Sequence, residues 1–358
     1  MTENRPWMVV SDYPAWPSPY FAELYRHAPS QLGLEFIGSL EALEHRPGPP
    51  GVINLHRLKR LYQMPDGGRT VAAADTMLAQ LTELRRIGWR IVWTVHNLLP
   101  IDGAHTAADH HAAYRVLHLA DAIITHTHAD ARHLELLTDA PIIVAGWAAP
   151  ATDAHEVPPA IRELAEHIAD VGTSILLLGN LTAYKDLPAV TRAFVSHTRS
   201  AHLFVIGPPR DPSVAQVIAH DRIHLHLERV QPEHTHVLYR AADVALCPYR
   251  TDGPWEFFTQ ALYPSSVGTA VAHGIPVIAP DVPAVTEMTA GHPRRLYPPQ
   301  SGPGQAMAAA EESRLPRAPV RKDHSWDGIL AAYERLADVL YTPTGRLTVV
   351  TDTSGTDS

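Results

Sequence analysis

The sequence lacks the features of several common protein classes. Among its 358 residues there is a single cysteine, Cys247, so no intrachain disulfide can form, and we expect a reduced, cytoplasmic setting. No apolar run reaches the roughly 18 residues of a membrane helix, and the N-terminal stretch has no basic and apolar regions of a signal peptide. Lysine and arginine are outnumbered by aspartate and glutamate, 29 to 38. The resulting net charge of −9 argues against a nucleic-acid-binding protein.

Several motifs that bind nucleotides or metals are also absent from the sequence. No Gly-x-Gly-x-x-Gly follows the first strand-like run, and neither a P-loop nor a His-Glu-x-x-His helix occurs. Histidine is abundant, at 23 residues, but pairs such as His126 and His128 lie two positions apart on a predicted strand and point to opposite faces. Because no cysteines accompany them, we expect no metal, and because the nucleotide-binding motifs are missing we expect no other cofactor.

Short Val- and Ile-rich runs alternate with amphipathic stretches along the chain, which is typical of parallel sheets covered by helices. The strand-like runs lie at 7–13, 51–56, 90–97, 122–128 and 141–147, and again at 174–180, 201–207, 223–228, 244–249 and 275–280. The pattern predicts two α/β domains, each with a doubly wound parallel sheet, facing each other across a cleft. We expect a first domain at 1–150, a linker at 151–173, a second domain at 174–324, a final helix at 325–341 and a disordered tail at 342–358.

Two stretches place chemically useful side chains just after predicted strands, where ligands bind in such sheets. His96, followed by Asn97, suits hydrogen bonding or proton exchange with a ligand hydroxyl, although a buried histidine bonded to backbone also fits. Gly179 and Asn180 lead to Lys185 before the next predicted helix. That placement suits a lysine that holds a phosphate, and a solvated surface lysine is the alternative.

Two further stretches offer groups that bind anions or sugars. A helix start at Ser265, Ser266 and Val267 presents N–H groups to an anion, although it can equally be an ordinary helix cap. Arg250 can form paired hydrogen bonds to a phosphate or carboxylate. The aromatic residues around Glu256 can stack on a sugar, but local packing is their more common role.

Taken in order, these segments resemble a glycosyltransferase of the GT-B fold, in the broad family-4-like group, over residues 5–340. The resemblance rests on SDYPAWPSPYFAELYRH, on WTVHNLLP (similar to the WTxHNxxP strand end of one bacterial subgroup), on LLLGNLTAYKDL, on the block from ADVALCPYR to SSVGTAVAHGIPVIAPDVPAVTE, and on HSWDGILAAYERL. It implies two facing Rossmann-like domains and a final helix that packs back on the N-terminal domain.

The resemblance also implies an activity: transfer of a sugar from a GDP- or UDP-sugar to a small-molecule or glycan acceptor, with retention and without a metal. Lys185 corresponds to the lysine that neutralises the donor diphosphate, and Ser265 and Ser266 to the turn that meets the phosphates. On the acceptor side the corresponding residues are Ser18, Tyr20, His96 and Asn97. Glu287 corresponds to an acidic residue after the last motif strand.

The sequence departs from the family's pattern in the donor site. Ala261 and Thr269 stand where many relatives have two glutamates, one of which binds the nucleotide ribose, and Asn180 stands where many have an arginine. Asp186 replaces the usual glycine of a Tyr-Lys-Gly sequence. Glu256 is a candidate substitute for the missing glutamate, and the donor nucleotide is left open.

Two other function classes fit the same architecture. They are another GT-B chemistry, as in a nucleotide-sugar epimerase or a phosphorylase, and a non-catalytic sugar-binding protein. The basic segment 56–60 is a candidate for membrane attachment or for binding an anionic acceptor, and it can also simply face solvent. The overall acidity favours a soluble enzyme with a small acceptor. The Ala-, Pro-, Arg- and His-rich composition suggests a bacterial source and a role in specialised metabolism.

Overall fold

The computed structural model describes residues 6–10, 19–26, 33–148, 156–320 and 326–341. They form two six-stranded sheets with helices on their faces, and all paired strands run parallel. The prediction of two doubly wound α/β domains is therefore confirmed. The predicted tail at 342–358 lies outside the described residues.

The N-terminal domain has the strand order β2-β1-β3-β4-β5-β6. Its strands are β1 (Trp7–Val10), β2 (Leu34–Ile37), β3 (Val52–Leu55), β4 (Arg90–Thr94), β5 (Ala122–Thr125) and β6 (Ile142–Val144). Its helices are α1 (Pro19–Arg26), α2 (Glu41–Glu44), α3 (Val71–Arg86), α4 (Ala107–Leu119) and α5 (His128–Leu134). Strands β1, β3 and β5 are buried along their whole length, as expected for parallel strands covered on both faces.

The C-terminal domain has the strand order β12-β11-β10-β7-β8-β9. Its strands are β7 (Ser174–Leu178), β8 (His202–Ile206), β9 (Ile223–His226), β10 (Val244–Leu246), β11 (Val277–Pro280) and β12 (Arg294–Tyr297). Its helices are α6 (Pro159–Asp170), α7 (Leu187–His197), α8 (Thr235–Ala241), α9 (Ser265–Ala272), α10 (Pro283–Met288) and α11 (Gly304–Glu312), and α12 (Trp326–Tyr341) follows them.

Each sheet has a point at which the chain reverses its direction of travel across the strands. In the N-terminal sheet this point lies between β1 and β3, and in the C-terminal sheet between β7 and β10. Loops that leave neighbouring strands in opposite directions open a crevice at the carboxyl ends of the strands, where ligands of such folds bind. The topology therefore directs attention to the segments after β3, β7 and β10.

Helix α12 packs on the N-terminal sheet although it follows the C-terminal domain in sequence. Ile329 and Tyr333 lie in one apolar cluster with Trp7 of β1. The Thr94 hydroxyl donates to the buried Asn54 Oδ1 (3.0 Å) and accepts from the Tyr333 hydroxyl (3.1 Å). These buried hydrogen bonds hold α12 at a defined position on the sheet.

The structure differs from the predicted elements in several places. Strands β2 and β12 were not predicted, since each has four residues and carries charged side chains. Residues 159–170, within the expected linker, form α6. There Ile161, Ala165 and Ile168 recur at helical spacing and pack on the C-terminal core. Between β8 and β9 the chain forms only a short 3-10 turn, Pro212–Gln216.

Candidate functional site

Residues that follow strands of both sheets line one cavity of about 670 Å³ between the two domains. Lining residues between 20 and 148 form its N-terminal wall, and those between 178 and 269 form its C-terminal wall. Of the predicted site residues, the walls contain Tyr20, His96, Asn97, Gly179, Asn180, Lys185, Ser265 and Ser266. The described lining does not include Arg250, Glu256, Val267 or Glu287, and Ser18 lies outside the described residues.

Lys185 lies on the C-terminal wall at the crevice beside β7. Its side chain is buried, and among the described residues its ammonium Nζ donates one hydrogen bond, a long one of 3.4 Å to the Leu178 carbonyl. None of the ion pairs among the described residues includes it. Burial lowers the pKa of Lys185 to about 8. A buried cation without a carboxylate partner is costly, and an anionic ligand would remove that cost.

The loops after β7 and β8 meet in the C-terminal wall through two glycines. Gly179 has a φ of +113°, and a Cβ on Gly207 would lie 2.1 Å from the Gly179 carbonyl oxygen. Only glycine fits this backbone contact, which leaves the chain bare beside Lys185. Asp186, at a φ of 44°, takes the left-handed conformation that favours glycine, and its Oδ1 accepts the Ala189 N–H (3.2 Å) at the start of α7. Asp186 therefore occupies the glycine position of the family's motif and also caps a helix.

The start of α9 completes the C-terminal wall. The Ser266 Oγ lies 2.5 Å from the Tyr249 hydroxyl, and the Tyr249 ring stacks on Tyr184 with centroids 5.6 Å apart. Val267 is different from the two serines. Its side chain is in the core, and its N–H donates to the Pro264 carbonyl (2.9 Å), so it faces no ligand.

A chain of hydrogen bonds runs along the N-terminal wall through His56 and His126, which are buried, and His96, which is partly exposed. The Tyr25 hydroxyl lies 2.7 Å from His56 Nε2, and His56 Nδ1 lies 3.0 Å from His96 Nε2. His96 Nδ1 lies 2.9 Å from His126 Nε2, and His126 Nδ1 lies 2.9 Å from the Gly146 carbonyl oxygen. Each ring therefore bonds a different partner through each of its two nitrogens.

The carbonyl at the end of this chain fixes the proton positions. A carbonyl oxygen only accepts, so His126 Nδ1 carries the proton and His126 Nε2 accepts from His96 Nδ1. By the same rule His96 Nε2 accepts from His56 Nδ1, and His56 Nε2 accepts from the Tyr25 hydroxyl. All bonds point towards Gly146 while the three rings are neutral.

Burial keeps these rings neutral. It lowers the pKa of His56 to about 3 and of His126 to about 4. The pKa of His96 is held well below its ordinary value by burial first and then by His126 and His56. The lowered pKa of His96 therefore disfavours the proton exchange that the sequence predicted for this residue. A ligand hydroxyl reaches its Nε2 only by replacing His56.

A segment at 250–263, which we call the strap, crosses from the C-terminal domain to the N-terminal domain. The Trp255 Nε1–H donates to the Ile101 carbonyl (3.2 Å), and the Tyr263 N–H donates to the His96 carbonyl (2.7 Å). Ala261, at a position of a missing family glutamate, is buried in the core of the N-terminal domain. The strap thus joins the two walls with backbone and aromatic contacts.

Arg250 and Glu256, which the sequence predicted as ligand-binding residues, lie in the strap and do not line the cavity. Arg250 donates to Asp252 (2.9 and 2.7 Å) and lies over the Trp255 ring, 4.7 Å from its centroid. Its charge is therefore balanced locally. Glu256 is exposed and does not line the cavity, so the structure does not place it as the substitute ribose ligand.

Glu287 joins the two domains outside the cavity. Its carboxylate oxygens accept the N–H groups of His128 and Ala129, each at 2.7 Å, at the start of α5. In the same interface the Leu262 N–H donates to Asp130 Oδ1 (3.3 Å), and burial raises the pKa of Asp130 to about 7. Glu287 is therefore a contact between domains and not a cavity ligand.

The sequence interpretation missed His56 and His126, although a signal for them exists. Strands β3, β4 and β5 are neighbours in the sheet, and each is followed within two residues by a histidine. Parallel neighbours bring such residues to one edge. Histidine spacing within a single strand does not reveal this arrangement, because its three members follow three different strands.

Within the described ranges, no group of three His, Cys, Asp or Glu residues is placed to hold a metal ion. The three histidines do not converge on one point, since His96 turns a different nitrogen to each neighbour. In these ranges we also find no helix whose length and apolar character would let it span a membrane.

Comparisons with known proteins address the fold and the C-terminal domain. The family described as Glycosyl transferases group 1 matches residues 172–313. No curated protein matches the sequence. Among solved structures, sucrose-phosphate synthase from Thermosynechococcus elongatus is similar with a TM-score of 0.56 at 14% identity, covering 94% of this chain and 99% of that one.

Two other solved structures show the same likeness. HepE from Anabaena, in complex with UDP and glucose, has a TM-score of 0.53 at 12% identity and covers 93% of this chain and 95% of that one. An α,α-trehalose-phosphate synthase (UDP-forming) from Burkholderia xenovorans, in complex with glucose-6-phosphate, has a TM-score of 0.53 at 14% identity, covering 84% and 75%. At these identities the likeness concerns the fold. The chain therefore has the two-domain GT-B fold of these solved structures, and its residues 172–313 match the Glycosyl transferases group 1 family.

Proposed function

We propose that the chain transfers a sugar from a nucleoside diphosphate sugar to a hydroxyl group of an acceptor bound in the cavity between its domains. The observation that carries the proposal is Lys185, a buried cation on the cavity wall whose only described hydrogen bond is long. A diphosphate leaving group develops negative charge as the sugar departs. A fixed cation at that position stabilises the transition state more than the ground state.

The rest of the C-terminal wall supports the same donor position. Gly179 and Gly207 let a phosphate approach the backbone closely, and Ser266 offers a hydroxyl at the start of α9. We propose that Lys185 and these uncharged donors suffice, so that the reaction needs no metal ion.

We propose a UDP-sugar as the first donor to test and a GDP-sugar as the second. The fold is shared with HepE, whose structure holds UDP and glucose, and with a UDP-forming trehalose-phosphate synthase. The family resemblance suggests that the anomeric configuration is retained. The acceptor, a small molecule or a glycan, is placed against Tyr20, His96 and Asn97 of the N-terminal wall. A bacterial, cytoplasmic role in specialised metabolism remains part of this proposal.

The donor site is tested by thermal shift and calorimetry with UDP, GDP, ADP and TDP on the full chain. One nucleotide is expected to raise the melting temperature of the wild type, and Lys185→Gln is expected to weaken its binding at least tenfold. The matched control is Arg192→Gln, an exposed cation on α7 outside the cavity. Absence of any shift with all four nucleotides would refute the proposal.

The chemistry is tested with the donor found in that way. Transfer is expected to persist in EDTA, and NMR of the product is expected to show the donor's anomeric configuration. Loss of transfer in EDTA, with recovery on adding a divalent metal, would overturn the metal-independent mechanism.

A further inference from the structure

The strap ends in a short turn that lies between the two walls of the cavity. Its last residue, Tyr263, is next to His96 of the N-terminal wall, and Ser265, two residues later, begins α9 on the C-terminal wall. All three of these residues line the cavity. The three consecutive residues 263–265 therefore span from the acceptor side of the proposed site to its donor side.

Backbone hydrogen bonds hold this turn at both of its ends. The Tyr263 N–H donates to the His96 carbonyl (2.7 Å), and the Ser265 N–H donates to the Tyr263 carbonyl (2.9 Å). Next to the first bond, Asn97 and Leu262 form an antiparallel bridge. Because His96 follows β4 and Ser265 begins α9, these bonds connect the backbones of the two walls.

The central residue of the turn, Pro264, makes the connection stiff. Its φ of −80° and ψ of 71° are those of an inverse γ-turn, in which a hydrogen bond joins the residues on either side of the central one. The bond from Ser265 to Tyr263 is that hydrogen bond. Because the proline ring restricts φ, the turn has little freedom to open. The position of the His96 backbone relative to the start of α9 is therefore set by one constrained residue.

The Tyr263 ring attaches the turn to the N-terminal wall. It stacks on His126 with the ring centroids 4.1 Å apart, and it lies edge-on to Tyr20 at 5.7 Å. The His96 ring is its third neighbour, at 6.0 Å. Tyr20 belongs to α1, whereas His96 and His126 follow β4 and β5. One side chain thus contacts three separate parts of this wall, and aromatic pairs at such distances stabilise beyond the burial of their surface.

The proposed transfer requires two substrates on different walls to be aligned. The anomeric carbon exchanges its bond to the diphosphate oxygen for a bond to the acceptor oxygen, and the acceptor proton ends on the released diphosphate or on water. A displacement of about 1 Å between the reacting atoms can cost about 100-fold in rate. A stiff connection between the walls therefore has a direct effect on the rate of transfer.

We propose that Tyr263 is a positioning residue, which through the Pro264 turn keeps the acceptor bound at His96 aligned with the donor bound on the C-terminal wall. The proposal rests on the proposed sugar transfer and adds the residue that aligns its two substrates. The aromatic contacts of Tyr263 are with the N-terminal wall, whereas Lys185 holds the diphosphate on the other wall. Loss of the ring should therefore slow transfer and leave donor affinity unchanged.

The experiment measures Tyr263→Leu in the full chain, with UDP for calorimetry and UDP-glucose as donor. Acceptors are tested as a panel of glucose, fructose, inositol, glycerol and their monophosphates. In Tyr263→Leu, kcat is expected to fall by at least about tenfold because the substrates lose their alignment, whereas the Kd of UDP should stay within about twofold. Tyr263→Phe keeps the ring and should retain at least about half of the wild-type kcat.

Two further variants separate positioning from folding. Pro264→Gly keeps the Tyr263 ring and frees the turn, so kcat should fall by at least about threefold while UDP affinity is kept. The control Tyr297→Leu replaces a buried tyrosine of β12 outside the cavity. It should lower the melting temperature and leave kcat within about twofold.

Three kinetic results would overturn the proposal. They are an unchanged kcat in both Tyr263→Leu and Pro264→Gly, a loss of UDP affinity as large as the loss in kcat, and failure of Tyr263→Phe to keep the activity. Failure of every nucleoside diphosphate to bind would instead refute the proposed transfer.

A measurement without an acceptor decides the case in which no compound of the panel accepts a sugar. Spin labels at Arg115→Cys on α4 and Arg192→Cys on α7, both exposed positions, report the distance between the domains, and the native Cys247 is buried. With UDP bound, Tyr263→Leu should broaden the distribution of distances and Tyr263→Phe should not. In that case, equal distributions in the wild type and both variants overturn the proposal.

Discussion

The two walls of the cavity are built on opposite principles. On the N-terminal wall, His56, His96 and His126 satisfy one another in a closed chain of neutral rings. On the C-terminal wall, Lys185 is charged and buried, and its one described hydrogen bond is long. The histidine chain is complete without a ligand, whereas Lys185 gains a partner when an anion binds.

This difference suggests how the two substrates are handled. A wall with fixed hydrogen-bond directions selects the orientation of a hydroxyl group, because it changes little on binding. A wall with a costly charge selects an anion, because binding removes the cost. Changes in the C-terminal wall should therefore alter donor affinity, and changes in the histidine chain should alter stability and acceptor binding.

The largest effect is expected from Lys185→Met, which removes the charge and keeps most of the side-chain volume. Transfer should fall by at least about 100-fold, the scale seen when one electrostatic donor to a transition state is removed. The melting temperature should not fall, since a buried amine without a carboxylate partner costs free energy. Arg192→Met, at an exposed site on α7, is the control and should keep full activity. A clear loss of stability in Lys185→Met would mean that the lysine has a structural role.

Acid should weaken the N-terminal wall selectively. The folded pKa values of His56 and His126, about 3 and about 4, lie below the ordinary value, so the unfolded chain takes up protons first as the pH falls below 6.5. Each such proton costs about 1.4 kcal/mol of stability per pH unit. Asp130 acts in the opposite direction, because its raised pKa makes the folded state the better proton binder between pH 3.8 and 7.

The balance of these groups favours the histidines. The free energy of unfolding, measured in urea, should fall by roughly 2–4 kcal/mol between pH 6.5 and 5. Lys185 should have no part in this, since its lowered pKa changes stability only between about pH 8 and 10.5, where stability rises with pH. Nucleoside diphosphate binding should weaken above pH 8 for the same reason. If the free energy of unfolding did not change between pH 6.5 and 5, the three histidine rings would not be held neutral in the folded protein.

Replacing His126 interrupts the hydrogen-bond chain of the three histidines. It tests directly whether the two walls of the cavity act independently. His126→Phe keeps a ring against Tyr263 but leaves the Gly146 carbonyl and the His96 Nδ1–H without their partner, at a cost of about 1–3 kcal/mol. Ring ¹⁵N spectra should show that His96 loses its single tautomer, an effect that simple destabilisation would not produce. Donor affinity should stay within twofold.

The control for this variant is His224→Phe, which removes a bond between two histidines (2.9 Å to His202) at a less buried site of the C-terminal domain. It should cost less than about 1 kcal/mol and leave the His96 spectrum unchanged. If His126→Phe weakened donor binding as much as Lys185→Met does, the two walls would be coupled and the comparison would fail.

The sequence predicts those parts of the fold that local patterns specify. Central strands such as β3 and β7 are apolar runs of the right length, and the start of α9 follows from Ser265 with small residues after it. Edge strands such as β2 have no distinct pattern, because half-exposed residues of mixed polarity fit a loop equally well. Helix α6 was hidden by the flanking prolines, although Pro159 itself begins the helix.

The candidate site also has one part that local sequence patterns predict and one part that they do not. Lys185, Gly179 and Ser266 lie in contiguous motifs of the C-terminal wall, so sequence spacing alone brings them forward. His56, His96 and His126 come from three separate strands, and only the strand order of the sheet brings them together. Their neutral state depends on burial, which no local pattern reports.

The smallest effect is expected at Asp186, where one departure from the family's motif can be tested in both directions. Asp186→Gly relieves the left-handed backbone but removes the cap on α7, and these contributions of about 1 kcal/mol each should nearly cancel. Asp186→Val removes the cap and adds strain, because a β-branched residue fits positive φ less well than aspartate does, so it should cost about 2 kcal/mol or more. Urea unfolding of both variants measures the two contributions. Asp186→Val should weaken donor binding as well as stability, because a shift of this turn displaces the neighbouring Lys185. Asp186→Gly should leave donor binding unchanged. If Asp186→Gly weakened donor binding without loss of stability, the aspartate would belong to the donor site itself.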